Sequence, residues 1–364
     1  MHRRLERLRE ILRREGLDAL LVTADANRRY LSAFSGSTGS LVVSSDRALL
    51  LSDFRYQEQA AAEAPDFEFR LVKRPDMPEP RLVAAIAQEL GLRTLGFEAD
   101  HLSVARHQTF QGALGEAAPR TEFRAAQGLI EELRVVKDAG ELGALERAIA
   151  ITDKAFAAVR PLLRPEMRER EVAWELEKAM RQHGAEAIAF PIIVAAGPNG
   201  AMPHAHPGEA QLGNGRPIVM DFGARVDGYH ADMTRTIVLG ETTEQFMAIY
   251  RVVVEAGQNA ALHVRPGMPV READALARDH IAAAGFGDYF GHGLGHGVGL
   301  AIHEAPWLRV GDEQALATGA VFSIEPGIYL PGWGGIRIED LVVLGDDGSR
   351  TLTHASKDPL VILD

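Results

Sequence analysis

Residues 217–240 read PIVMDFGARVDGYHADMTRTIVLG, two strand-like stretches on either side of Asp227-Gly228. Those two residue types supply the left-handed conformations of a tight two-residue turn, so the segment reads as a β-hairpin. In that register Gly223 faces Asp232 and Met220 faces Arg235. Asp221 lies two residues from Gly223, which puts Asp221 and Asp232 on one face as diagonal neighbours. A one-residue bulge would break the pairing. Two ionised carboxylates that close repel, and one pKa rises unless a cation sits between them. The competing reading has one aspartate merely accepting from turn amides.

Working outward, residues 290–306, FGHGLGHGVGLAIHEAP, carry glycine at 291, 293, 295, 297 and 299. Such spacing disfavours a helix and suits an extended backbone closely approached by something else. In an extended chain His292 and His296 share a face, so one could be a ligand and the other its supporting donor. The dinucleotide pattern GxGxxG is not met, and HExxH fails because Ala305, Pro306 and Trp307 follow His303 and Glu304.

Residues 320–344, AVFSIEPGIYLPGWGGIRIEDLVVL, read as two strands joined by a loop. Val321, Ser323 and Glu325 lie on one face of the first; Arg337 and Glu339 lie on one face of the second, opposite Ile336 and Ile338. Each strand thus presents a carboxylate from an apolar stretch, although an Arg337–Glu339 surface pair would read the same way. Upstream, PNGAMPHAHP (198–207) holds His204 and His206 in a proline-rich loop. If His204 reaches a metal site, it could hydrogen-bond a scissile carbonyl or the oxyanion.

Asp221, Asp232, His296, Glu325 and Glu339 together form a set of hard oxygen donors with one nitrogen. That set suits Mn²⁺, Co²⁺ or Zn²⁺ and is too anionic to bury without cations. Hydrolysis by a metal-activated water is the leading expectation.

The composition sets limits. At 364 residues and 46% apolar content the chain is long enough for two domains with real cores. It has no cysteine, which excludes disulfides, thiolate ligands and a cysteine nucleophile and fits a reducing, cytoplasmic setting. A net charge of −12 argues against a nucleic-acid partner, and no run of apolar residues is long enough to span a membrane. In MHRRLERLREILRREG, Leu5, Leu8, Ile11 and Leu12 share a helix face and Gly16 can end it, so the segment reads as a docking helix rather than a signal or membrane segment.

Strands alternate with helices from Leu17 to Gly128, the mark of an α/β layered domain. From Leu129 long helices precede strands, with GLIEELRVVKDAGELGALERAIAITDKAFAAVRPLL read as one helical stretch. Further helices run over Thr243–His263 and Val270–Ala284, and strands follow. This describes an α+β domain with helices packed on antiparallel sheet, and the expected boundary lies near residue 130, giving domains 1–130 and 131–364.

The segments DFGARVDGYHADMTRT, GHGLGHGVGLAIHEAP, SIEPGIYLPGWGG and IRIED, in that order and spacing, resemble the pita-bread metallopeptidases. Within them the chain resembles the creatinase/prolidase/Xaa-Pro aminopeptidase branch. RLERLREILRREGLDALLVTADANRRYLSAFSGSTG and DFRY extend the likeness to a creatinase-like N-terminal domain that minimal methionine aminopeptidases lack. The resemblance implies an α/β creatinase-like domain followed by an α+β pita-bread catalytic domain.

It also implies two divalent ions, Mn²⁺ before Co²⁺ or Zn²⁺. Asp221 would be a terminal, bidentate ligand of one ion, Asp232 and Glu339 would bridge, and His296 and Glu325 would complete the other. A bridging water would attack the carbonyl with Glu325 accepting its proton. His204 and His303 would bind substrate and help stabilise the tetrahedral intermediate or shuttle protons, His292 would line a proline pocket, and Arg337 would contact substrate beside the bridging glutamate. The implied substrate is a proline-containing peptide, because a bond preceding proline is a tertiary amide that needs a dedicated pocket. An aminopeptidase is the expectation, a dipeptide-restricted prolidase the alternative, and a silent binding module a second alternative. Trp307 stands where some archaeal prolidases carry Arg, with Arg309 nearby. Creatinase shares the fold without this metal set, whereas all five donors are present here. A homodimer is also implied.

Overall fold

The computed structural model describes residues 2–361, and the chain divides into two compact units, 1–134 and 135–364. In the first unit six strands form one mixed sheet in the order Glu68–Leu71, Ala48–Ser52, Ser40–Ser44, Ala19–Val22, Thr94–Glu98, Glu122–Ala126. Its central strands are buried on both faces, which is why ALLV and SLVVS read as continuous rather than alternating apolar runs. Helices Glu79–Glu89 and Val104–Ala117 bring Val83, Ile86, Phe110 and Leu114 onto Leu21, Leu49, Leu51 and Leu95. Helix His2–Glu15 buries the expected Leu5, Leu8, Ile11 and Leu12, and Gly16 leaves it at a φ of 64°.

The helical run expected from residue 128 is interrupted. Helix Leu129–Val135 stops, Val136 bridges to Ala320, and the Lys137 amide donates to the Gly319 carbonyl. Asp138 then caps a new helix, Ala139–Val159, through a reciprocal capping box with Glu141. The Asp-x-x-Glu signature was present in the sequence; the apolar periodicity across it concealed the break.

Two helix pairs back the sheets of the second unit. Ala139–Val159 and Glu169–Gln182 place Phe156, Val172, Leu176 and Met180 against Val194, Ile218, Met220 and Phe222. Glu244–His263 and Val270–Ala283 place Ile249, Val253 and Ile281 with Phe322, Ile324, Ile336 and Val342. Thr243 caps the third of these helices, its side chain accepting from the Phe246 amide. The sheets are antiparallel apart from the short pairing of Met233–Leu239 with Leu360–Val361, as an α+β unit should be.

The hairpin at 217–240 has the register read from its turn. Arg225 pairs with His230, Val226 with Tyr229, Asp221 with Thr234 and Met220 with Arg235. Asp227 and Gly228 both adopt positive φ, 50° and 81°. The segment 320–344 differs from the two continuous strands expected. Val321–Ile324 pairs with Asp340–Gly345, and Gly327–Leu330 pairs with Gly334–Arg337, as two separate ladders. Ile324 faces Asp340 and Gly327 faces Arg337, so one register runs through both and sets Glu325 across from Glu339. The ladder breaks there because the Glu325 amide donates to the Leu294 carbonyl and the Glu339 amide to the Thr234 carbonyl.

Strand Gly295–Gly297 threads between Glu304–Leu308 and Val321–Ile324. A Cβ on Gly295 would lie 2.0 Å from the Ser323 carbonyl oxygen, a backbone atom that cannot give way. Gly295→Ala is therefore expected to lower unfolding stability by about 2 kcal/mol or more, measured by urea denaturation. Gly112→Ala, in helix Val104–Ala117 with nothing within 4 Å of its Cβ, should instead stabilise by up to ~1 kcal/mol. Equal effects would contradict the packing account.

Candidate metal centre and active site

The two hairpins converge on one cavity of about 480 Å³ within the second unit. Asp221, Asp232, His296, Glu325 and Glu339 all line it, together with His204, His206, His292, His303, Trp307, Arg309 and Arg337. Asp232, His296 and Glu339 each offer a ligand atom, and these atoms lie within 4.8 Å of one another. His296 Nε2 is 3.3 Å from Glu325 Oε1 and 3.7 Å from Asp232 Oδ2. Asp221 stands apart from the tight trio. Its Oδ2 accepts from Arg337 Nη2 at 2.6 Å, while its Oδ1 is buried without a hydrogen-bond partner. One Asp221 oxygen is thus engaged by Arg337 and the other is open.

Two hydroxyls on strands fix three of the donors. The Ser323 hydroxyl accepts from the His296 amide at 3.0 Å and donates to Glu325 Oε1 at 3.1 Å. Thr234, paired opposite Asp221, donates its hydroxyl to Glu339 Oε2 at 2.9 Å and accepts from Arg337 Nε at 3.0 Å. His296 Nδ1 lies 3.1 Å from the Gly297 carbonyl, which favours the tautomer with its proton on Nδ1 and leaves the Nε2 lone pair facing the carboxylates.

Burial pushes the Asp232 carboxyl well above its usual range, with the charges of Glu339, Asp221 and Glu325 adding to the effect. Glu339 is raised well above its range by burial and then by Glu325 and Asp221; Glu325 is raised by burial. The imidazoles of His292, His296 and His303 are lowered, burial being the first cause in each. Neutral imidazoles beside carboxylates that resist ionisation make up a donor set waiting for positive charge. The two open oxygens fit this reading, since Glu339 Oε1 is also buried without a partner. Buried carboxylate oxygens are costly to leave unpaired.

Around this floor the expected substrate residues are brought together. His303 meets His296 edge to face with ring centroids 4.4 Å apart. His204 and His206 belong to an exposed loop whose ends are clamped by one buried carboxylate: Glu169 accepts from the Ala196 amide, the Asn199 amide side chain and the Gly208 amide. His292 packs edge-on to Phe290, and its Nε2 is 2.9 Å from the Tyr329 hydroxyl. That hydroxyl also accepts from Arg337 Nη1 at 2.9 Å.

Tyr329, Thr234, Ser323 and Glu169 are functional supports that sequence reasoning did not single out. A signal was available for Thr234 and Ser323, each two positions from a carboxylate on the same strand face, Asp232 and Glu325. Burial holds the Tyr329 phenol at about 12, so it stays protonated as a donor.

Helix-backed antiparallel sheets that close on a buried carboxylate and histidine cluster define a metallohydrolase of the pita-bread fold. The chain belongs to metallopeptidase family M24, whose model matches residues 143–346, and it also carries the creatinase/prolidase N-terminal domain at residues 4–136. It is 33% identical to the Xaa-Pro dipeptidase of Pyrococcus horikoshii over 358 residues, 98% of this chain and 99% of that one. A solved Xaa-Pro dipeptidase from Bacillus anthracis superposes with a TM-score of 0.94 at 39% identity, covering 100% of this chain and 99% of that chain. A solved X-Pro aminopeptidase from Thermotoga maritima gives 0.87 at 35% identity, covering 96% and 98%. The protein is accordingly a metallopeptidase, and its family implies divalent metal ions.

Because three of the carboxyls are held above their usual range, the metal-free protein should carry protons in this cluster that an arriving cation displaces. Calorimetric binding of Mn²⁺ at pH 7 is expected to give an apparent enthalpy that varies with the ionisation heat of the buffer. A buffer-independent enthalpy would mean that the cluster is already fully ionised.

Proposed function

We propose that the chain hydrolyses the peptide bond between an N-terminal residue and proline. The observation that supports this most directly is the convergence of Asp232, His296 and Glu339 within 4.8 Å, beside a histidine-lined cavity that also contains Phe190, Pro191 and Ile302. Asp221, Asp232, His296, Glu325 and Glu339 would hold two divalent ions. A bound pair of such ions supplies Lewis acidity, polarising a carbonyl and lowering the pKa of water. Mn²⁺ is the ion proposed, with Co²⁺ and Zn²⁺ as substitutes, because oxygen donors outnumber nitrogen four to one in the set.

In this reading Glu325, fixed by the Ser323 hydroxyl, takes the proton of the attacking water. His303 and His204 donate to the carbonyl oxygen as charge develops on it. His292, locked by Tyr329 and backed by Phe290, forms one wall of the proline subsite, while Arg337 holds Asp221 in place and stands at the substrate's edge. A homodimer and a cytoplasmic location belong to the same proposal, supported by the family likeness and, for location, by the absence of cysteine. Among the described residues no helix is long and apolar enough to cross a membrane.

Trp307 rather than a cation lines the cavity at its position, which supports an aminopeptidase that accepts peptides continuing beyond proline. A dipeptidase reading is favoured by Arg309. Its guanidinium lies 5.8 Å from the Trp307 ring centre in the same cavity and approaches Asp312 at 3.6 Å. A free carboxylate on proline would be its natural partner.

Metal-stripped protein should regain cleavage of Xaa-Pro-Yaa peptides with Mn²⁺, and Asp232→Asn or Glu339→Gln should abolish both cleavage and metal uptake with the fold intact by circular dichroism. Full activity in either variant would remove that residue from the centre. Arg309→Gln separates the two length readings. If the dipeptidase reading holds, kcat/KM for Xaa-Pro falls by about tenfold or more, while that for Xaa-Pro-Yaa is little changed; equal effects on both exclude it.

A further inference from the structure

The chain enters the second unit on a buried charge. Lys137, whose side chain is 1% exposed, runs inward from the interruption between helices and places Nζ 2.9 Å from Glu304 Oε1, with the Val135 carbonyl at 3.4 Å. Its backbone cannot drift, because its amide donates to Gly319 and Val136 bridges Ala320. Glu304 is equally enclosed, its side chain 6% exposed, at the first position of strand Glu304–Leu308. It pairs across from Gly297, next to His296, where the register of the two strands shifts.

The turn between those strands is folded around the Glu304 carboxylate. Its Oε2 accepts from the Ala301 amide at 3.2 Å, and a Cβ on Gly299 would lie 2.4 Å from its Oε1. The Gly299 carbonyl in turn accepts from the His230 amide at 2.9 Å. His303 immediately precedes Glu304, lines the metal cavity, and stands edge-on to His296.

Two opposite charges taken this far from water cost several kcal/mol to desolvate, and apolar residues of similar volume commonly serve stability as well or better. Stability is therefore a weak reason for the pair. What the pair does have is a fixed direction and length, set on one side by the Lys137 backbone and on the other by a turn that ends in a cavity histidine.

We propose that the Lys137–Glu304 ion pair is a positioning device for His303: it fixes the 299–304 turn from behind and thereby sets the imidazole against His296 and the substrate. Lys137 and Glu304 are positioning residues and touch no substrate. The kinetic arm of the test rests on the peptidase reading above; a structural arm does not.

The test compares wild type, the apolar replacement Lys137→Met/Glu304→Leu, His303→Ala, and the combination of all three changes. The apolar pair is expected to fold with metal content unchanged, to lower kcat on an Xaa-Pro-Yaa peptide by about tenfold or more with KM within about threefold, and to lose the 4.4 Å His296–His303 ring contact in its crystal structure. In the His303→Ala background the same replacement should change kcat by less than about twofold, because the group it positions is gone. Unchanged kcat and ring contact, or an equal loss in both backgrounds, would overturn the proposal. Should the apolar pair fail to fold, Glu304→Gln takes its place with the same criteria. Wild-type protein that cleaves no Xaa-Pro peptide would defeat the peptidase reading alone, leaving the ring geometry of the variant to decide the positioning claim.

Discussion

Glu325 and Glu339 face each other across a hairpin that gives up its own ladder to hold them there. Their amides are spent on Leu294 and Thr234, residues of two other segments, so the break in one hairpin joins it to the glycine-rich strand and to the aspartate hairpin. With Asp232 beside them, these carboxyls are buried in an arrangement that like charges oppose. Two carboxylates within 4.8 Å repel by on the order of 3 kcal/mol at an effective dielectric of about 20. The site is therefore stable in its ionised form only with positive charge among its oxygens, and Asp221 and Glu339, which line the same cavity, each have an oxygen left open.

Arg337 places a buried cation deep in the cavity, and it is heavily engaged. It holds Asp221, the Thr234 hydroxyl, the Tyr329 hydroxyl and the Pro203 carbonyl at once. Through Tyr329 this network reaches His292, so two sides of the cavity share one scaffold. Arg337, read from the sequence as a substrate residue, lines the cavity and also orients the side chains around it.

Much of this could be read from the residues alone. Asp227-Gly228 dictates a turn, the turn dictates a register, and the register puts Asp221 and Asp232 on one face, all within 24 residues. The alternating glycines also announced a close approach, met at Gly295 by the Ser323 carbonyl. What stayed hidden depends on contacts between distant segments. The ladder break at Glu325 and Glu339 has one local signature, Pro326, which lacks an amide to donate, while alternation otherwise continues through it. Tyr329 is an aromatic in a strand until Arg337 and His292 arrive from elsewhere. Lys137 and Glu304 are 167 positions apart, and each taken singly looks like an ordinary surface charge.

The central proposal is that the opposed glutamates and their aspartate neighbours hold two cations. An anomalous difference map from a Mn²⁺-loaded crystal addresses it directly. The account predicts two peaks about 3.5 Å apart, both within bonding distance of Asp232 and Glu339 oxygens, with His296 and Glu325 on one and Asp221 on the other. A single peak, or a pair that leaves Glu339 uncoordinated, would contradict it.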